Sequence, residues 1–261
     1  MPIQNGVTRI QFLILTSPIN TGANMSGVQN KKVLITGTSR GIGLAIAKEF
    51  LNQGAQVYGT ATTKVAPQEF SGFCAADFSK REGIQQCVDF VNEVRPDIVI
   101  NNAGINTPSS FESIDSEKFL EIQQVNVLAP MEICRAAIPH MVSNNWGRIV
   151  NISSVWSKIS KEHRAPYSAS KFALDGMTLA LAIEYAKHNV LANCVAPGFV
   201  DTDMTRGILG DEGINKLMQI VPIGRLAQPA EIATFVVWLA SESNTYITGQ
   251  NIAVDGGFTR A

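Results

Sequence analysis

The sequence predicts an α/β fold: a single doubly wound domain in which a seven-stranded parallel sheet carries helices on both faces. Three observations predict it. From Lys32 onward, seven short β-rich apolar runs alternate with longer helical stretches, and strand–helix alternation implies right-handed βαβ units. Most of the runs are apolar almost throughout, as parallel strands covered on both faces should be. The chain has 261 residues, 45% of them hydrophobic and 16% charged. That is ample for one large core and unlike a disordered composition.

The elements follow in order. Residues 1–24 precede the pattern. Their apolar run, residues 10–15, has one Arg9 ahead of it and is too short for a secretory signal. Gly6, Pro18, Gly22 and Gly27 interrupt any regular element there. The expectation is a disordered or non-native extension, with the domain at 25–261, so that a chain begun at Met25 folds and works like the whole. The first strand, 33–36, runs into a glycine turn and a helix at 41–53. The second strand, 56–60, is joined to the third, 72–75, by a link short for a parallel crossover, so any helix there is small or missing. Helix 80–93, strand 97–101, a long helix 116–143, strand 148–152 and helix 167–187 follow. Strand 190–195, helices 203–219 and 229–241, and strand 251–254 complete the pattern. There is no tandem repeat or linker, and no stretch long enough to span a membrane.

The bulk chemistry excludes several classes. A net charge of −1 gives no reason to expect a nucleic-acid partner. Cys74, Cys87, Cys134 and Cys194 are scattered, as reduced core residues of a cytosolic protein are. His140, His163 and His188 lack metal-ligand spacing, so no metal site is expected.

Several motifs carry chemistry. Gly37-Thr38-Ser39-Arg40-Gly41-Ile42-Gly43 links the first strand to a helix. Its glycines let backbone approach a pyrophosphate, and the helix N-terminus offers free N–H groups and partial positive charge. A plain strand–helix connection would also use glycines, and the spacing is G-x-x-x-G-x-G rather than G-x-G-x-x-G. Tyr167 and Lys171 stand four apart on one helical face. An adjacent ammonium should favour phenolate and lower the tyrosine pKa toward acid/base range. Ser154 follows a strand at the edge where ligands bind in such sheets, and its hydroxyl can hold a developing oxyanion; Ser153 is the competing choice. Asn126 is polar within an otherwise apolar helical stretch and needs a reason to be there. No carboxylate follows the second strand in Tyr58-Gly59-Thr60-Ala61-Thr62-Thr63. Arg40, with Lys64, could therefore pair with a 2′-phosphate, which favours NADP(H) over NAD(H).

Taken in order, Thr36 to Gly43, Asn101-Asn102-Ala103-Gly104, Asn126, Ser154, Tyr167-Ser168-Ala169-Ser170-Lys171, Pro197-Gly198 and Asp255-Gly256-Gly257 resemble the short-chain dehydrogenase/reductase family. The likeness runs from Lys31 to the C-terminus. It is nearest the 3-oxoacyl-[acyl-carrier-protein] reductase branch, through residues 59–62 and 197–204. The resemblance implies a Rossmann-type fold and an enzyme interconverting a carbonyl and a secondary alcohol. In that family hydride passes from reduced nicotinamide to the carbonyl carbon. The resemblance makes Tyr167 the proton donor, and Lys171 the group that tunes it and holds the nicotinamide ribose. It selects Ser154 over Ser153, thirteen residues before the tyrosine, and has Asn126 hold a water that feeds protons to Lys171 and Tyr167. It places Asp77 and Phe78 beside the adenine, Asn102 beside its ribose, and Val200 and Thr202 near the carboxamide. Ala103, Gly104, Thr62, Pro197 and Gly198 join the cofactor set.

The substrate stays open. A 3-oxoacyl thioester is one reading; a free small carbonyl, sugar derivative or secondary metabolite is another. A non-catalytic dinucleotide sensor or scaffold is a third, against which Tyr167 and Lys171 speak. Carrier-docking arginines of the family match Asn145 and His188 here, which puts an acyl carrier protein partner in doubt unless Lys187 and Arg206 substitute. Lys158, Lys161, His163 and Arg164 could receive a phosphate or carboxylate, or form a solvated loop. Residues 203–221 correspond to the family's mobile lid. The resemblance also implies a homotetramer pairing helices 116–143 and 167–187, and a cytoplasmic enzyme.

Overall fold

The computed structural model describes residues 27–63 and 67–261. The expectations placed on residues 1–24 and on Lys64 lie outside the described residues. Strands β1 (Lys32–Thr36), β2 (Gln56–Ala61), β3 (Gly72–Ala75), β4 (Ile98–Asn101), β5 (Gly147–Ile152), β6 (Val190–Pro197) and β7 (Asn251–Val254) form one sheet in the order β3-β2-β1-β4-β5-β6-β7. Every pairing is parallel. The chain winds outward from β1 to β3 and then returns to β4 on the other side of β1. A crevice must therefore open between β1 and β4 at the carboxyl ends of the strands.

Helices α1 (Gly41–Asn52), α2 (Arg81–Val94), α3 (Ser116–Gln123), α4 (Ala129–Ser143), α5 (Ala165–Tyr185), α6 (Asp203–Ile220) and α7 (Pro229–Leu239) cover the sheet. Alternation along β1 divides the interior, since successive side chains point to opposite faces. Val33 and Ile35 join a core with Ile46 and Phe50 of α1 and Val236 of α7. Leu34 joins the opposite core with Val91 of α2 and Ile133 and Met141 of α4. A third, small cluster of Ile214, Leu217, Val221 and Leu226 belongs to α6 and the segment after it.

The expected helix over 116–143 is not continuous. A π-helical turn, Gln124–Leu128, separates α3 from α4. Pro130, in the first turn of α4, lacks the N–H that an α-helix would direct to the Asn126 carbonyl. The wider turn points Asn126 inward, and such insertions are frequent at functional sites. Helix α5 starts at Ala165, with Pro166 in its first turn, where the missing N–H costs nothing. Strand β6 extends two residues further than expected, to Pro197. The link from β2 to β3 has no helix among its described residues. Gly210, at φ 61 and ψ 176, breaks α6 in the middle, a conformation open essentially to glycine alone.

Candidate active site

The floor of the crevice is built from backbone. Gly37 (φ 71) and Gly41 (φ 58) lie in the left-handed region. A Cβ on Gly43 would sit 2.2 Å from the Gly37 carbonyl oxygen and 2.4 Å from Asn102 Nδ2, so only glycine fits. Two loops are tied together over this contact. Asn102 Nδ2 donates to the carbonyls of Thr36 (2.9 Å) and Gly37 (3.1 Å). The Thr36 hydroxyl accepts from the amides of Asn102 and Ala103, each at 3.0 Å. Thr38, fully buried, sends its hydroxyl to the Thr60 carbonyl at 3.2 Å. Arg40 precedes α1 without capping it, and the first turn of α1 has no acid.

These elements wall a cavity of ≈ 430 Å³. Gly37, Ser39, Arg40, Gly41 and Ile42 line one end, with Thr62, Asp77 and Phe78 from beyond β2 and β3. Asn102, Ala103 and Gly104 line the middle, and Ser154, Tyr167, Lys171, Pro197, Gly198, Val200 and Thr202 the far end. Thr38, Gly43 and Asn126 stand behind the wall. The groove suits a dinucleotide: glycines at positive φ, an uncapped helix N-terminus, and no carboxylate in Ala61, Thr62 or Thr63 after β2. Exposed Arg40 has no ion-pair partner among the described residues. Asp77 is engaged locally by Ser79 Oγ (2.7 Å) and the Ser79 amide (3.1 Å), which hold its carboxyl below the usual range.

At the far end, Tyr167 and Lys171 project from the first turns of α5. Lys171 is buried; its Nζ donates to the Ile152 carbonyl at 2.7 Å and lies 5.5 Å from the centre of the Tyr167 ring. Burial draws this ammonium down to about 8. Burial likewise pushes the Tyr167 phenol up to about 12, against the pull of a hydrogen bond with Ser154 and the Arg164 charge. The expected lowering by Lys171 is not what the site does. Desolvation dominates, and the phenol is protonated at neutral pH. Ser154 Oγ accepts from the Trp156 amide at 3.3 Å and lines the cavity. Ser153 also lines it, but its hydroxyl turns to the Lys171 carbonyl at 3.5 Å. Asn126 accepts from the Ile105 amide (2.9 Å) and donates to the Ile105 carbonyl and Ser170 Oγ, each at 3.0 Å. It thus clamps the loop after β4 to α5. Trp156 packs edge-on against Phe199 and Phe258, at 6.1 and 6.2 Å between ring centres.

A family model described as Enoyl-(Acyl carrier protein) reductase matches residues 37–259. Over 241 residues the chain is 38% identical to the 3-oxoacyl-[acyl-carrier-protein] reductase FabG of Chlamydia muridarum, covering 87% of this chain and 97% of that protein. Thermoplasma acidophilum aldohexose dehydrogenase superposes with a TM-score of 0.84 at 30% identity, over 90% of this chain and 97% of that one. A gluconate 5-dehydrogenase of Burkholderia cenocepacia, solved in complex with NADP and tartrate, gives a TM-score of 0.82 at 27% identity, over 89% and 96%. The chain belongs to the short-chain dehydrogenase/reductase family.

For a short-chain dehydrogenase/reductase, the charged residues outside the cavity wall are informative. Lys158, Lys161 and His163 are exposed, whereas Arg164 is buried. Arg206 is held by Asp201 through two bonds of 2.6 and 2.8 Å. Asn145 and His188 precede β5 and β6, at the pole of the sheet away from the cavity. Ile105 and Glu121, absent from the sequence reading, also line the wall, together with Val125 of the π-turn and Met204 and Thr205 of the segment read as the family's lid. Ile105 sits in a loop, where no periodic signal marks a side chain, and Glu121 reads as an ordinary polar helix residue. Among the described residues, no group of His, Cys, Asp and Glu could hold a metal ion, and no helix is long and apolar enough to cross a membrane.

Proposed function

We propose that the chain is an NADP(H)-dependent oxidoreductase that interconverts a carbonyl and a secondary alcohol at the far end of this cavity. The observation that carries the reading is the convergence of Tyr167, Ser154 and Lys171 on one wall. The glycine-turn amides and the α1 N-terminus hold the pyrophosphate, Arg40 meets the 2′-phosphate, and Lys171 holds the nicotinamide ribose. Bound NADPH supplies the hydride. Tyr167 Oη gives its proton to the carbonyl oxygen, while the Ser154 hydroxyl supports the charge that develops there. Buried Lys171 keeps a cation behind the phenol and steadies the phenolate left after proton transfer. Asn126 works as a positioning residue, because its amide is fully engaged by Ile105 and Ser170.

The relatives named as 3-oxoacyl-[acyl-carrier-protein] reductases support a 3-oxoacyl thioester as substrate. A free small carbonyl or sugar acid is the second reading. It is favoured by the loss of fixed positive charge at Asn145 and His188, and by the aldohexose and gluconate dehydrogenases among the structural neighbours. A homotetramer is supported by apolar side chains left open on α3 and α5: Leu120, Phe172, Leu179 and Ile183, at 64%, 48%, 48% and 72% exposure. The free cysteines suit a reducing, cytoplasmic setting. NADPH consumption by the full chain over a panel of 3-oxoacyl thioesters and free hydroxy- and oxo-acids tests the function. Failure to consume NADPH with every member would overturn it, and light scattering at micromolar concentration tests the assembly.

A further inference from the structure

Ser154 lies two residues beyond β5 and opens a single 3-10 turn, Val155–Ser157. So short a turn has little stability of its own, and the direction of the Ser154 hydroxyl depends on what the turn is tied to. On one side the Ser153 amide donates to the Val195 carbonyl of β6 at 2.7 Å. On the other side the Ser154 carbonyl takes two donors from one residue, the Ser157 amide at 2.9 Å and the Ser157 hydroxyl at 2.6 Å. Ser157 is buried, and its hydroxyl accepts in turn from Asn251 Nδ2 at 2.9 Å. Asn251 is the first residue of β7, the strand at the edge of the sheet, 94 residues further along the chain. The bonds run in one direction, from amide to hydroxyl to carbonyl, and bonds relayed through a hydroxyl strengthen one another. Asn251 Oδ1 is shut away from solvent with no partner. A buried acceptor left empty is costly, so the Nδ2 donor is what this side chain contributes. Ser154 Oγ itself accepts from the Trp156 amide at 3.3 Å, too long a bond to fix the hydroxyl alone.

We propose that Asn251 and Ser157 are positioning residues for the carbonyl–alcohol reaction: they aim the Ser154 hydroxyl into the cavity by fixing the carbonyl of the same residue. Neither lines the cavity, whereas Ser154 does, so both act through Ser154. The edge strand thereby sets the geometry at the reacting carbonyl. This rests on the reading of the cavity as a carbonyl–alcohol site.

Kinetics of the full chain with NADPH test it, with acetoacetyl-coenzyme A and 5-ketogluconate as probes. Ser157→Ala and Asn251→Ala should each lower kcat by about three- to tenfold, the worth of one hydrogen bond, with KM for NADPH and probe little changed. Ser157→Thr keeps the hydroxyl and should recover most of the rate. Asn251→Asp keeps the size but removes the donor, and should lose as much as Asn251→Ala. On a Ser154→Ala background, Ser157→Ala should cost nothing further, because the group it aims is gone. The same three- to tenfold loss on that background overturns the proposal. So does a lowered melting temperature with unchanged kcat, which would make the pair a structural pin only. In the oxidation direction, with 3-hydroxybutyryl-coenzyme A or gluconate and NADP, the rising limb of the pH profile should move to higher pH in Ser157→Ala. The Ser154 hydrogen bond draws the Tyr167 phenol down, and a loosened Ser154 draws less. Amide exchange, read by mass spectrometry on the NADP-loaded protein, separates this from the reading of the cavity. Faster exchange at residues 154–158 in Asn251→Ala, with residues 37–43 unchanged, sustains the tie even if no probe turns over. Unchanged exchange at 154–158 overturns it.

Discussion

At the floor of the cavity Thr36, Thr38, Thr60 and Asn102 answer one another's hydrogen bonds across two loops. By contrast α6, which lends Met204 and Thr205 to the cavity wall, is broken at Gly210. The floor is complete before anything binds. Its loops are fixed, so a dinucleotide meets a preformed surface and little ordering entropy opposes it. On the α6 wall the side-chain bonds are local, between Thr202 and Thr205. The difference teaches that the cofactor end of the cavity is held by bonds between distant strands, whereas the α6 end rests on local ones.

The largest blow falls on the chemistry between these regions. Tyr167→Phe keeps the ring and removes the proton, so turnover should fall by about 10²–10⁴-fold while NADPH affinity, measured by fluorescence titration, stays near native. Near-native turnover of a verified substrate would dissolve the assignment. Gly43→Ala attacks the floor alone. Its Cβ would overlap the Gly37 carbonyl and the Asn102 amide. The expected cost is about 1–3 kcal/mol of stability, with a loss of NADPH binding in the same titration. A variant that melts and binds like the native chain would show the floor to be compliant. Arg40→Ala sharpens the comparison from the cofactor's side. NADP(H) preference over NAD(H) should drop by about 1.5–3 kcal/mol with stability unchanged, and equal native affinities for the two cofactors would refute it.

The smallest effect is on pH. Lys171 titrates near 8 in the fold, below its ordinary 10.5. Below pH 8 the fold bears a buried ammonium, and stability should rise as that proton leaves between 8 and 10.5. Tyr167, raised from 10.0 to about 12, acts oppositely: its neutral form stabilises the fold below 10, and this is lost between 10 and 12. Melting curves should therefore gain a few degrees, an order of magnitude taken from linkage, between pH 8 and 10, and Lys171→Met should flatten that gain. An unchanged slope in the variant would assign the rise to other groups.

The sheet was legible in sequence because its signal is local: apolar strands of parallel type, and a glycine turn at the end of the first. At the cavity's far end the pairing of Tyr167 with Lys171 was legible as an i,i+4 spacing, whereas the family resemblance alone singled out Ser154 over Ser153. Other features depend on neighbours distant in the chain. The π-turn at Gln124–Leu128 reads as ordinary helix, since Pro130 is tolerated in a first turn and the bonds from Asn126 to Ile105 and Ser170 join residues distant in the chain. The bridging role of Thr36 needs β1 and β4 side by side, 66 residues apart. The direction of the Tyr167 shift also escaped, because an i,i+4 lysine is visible in sequence and burial is not.

The chain has three tryptophans, and their placement makes the molecule its own optical instrument. Trp146 lies under Lys31 and Arg148, at 4.1 and 4.6 Å from their charged groups, at the pole opposite the cavity. Trp238 stacks on Phe235 at the surface of α7. Trp156 alone joins the neighbourhood of Ser154 to Phe258 near the chain's end. Emission that changes on ligand addition is thus expected to originate at Trp156, and replacing the other two leaves a single chromophore whose colour follows each loading of the site.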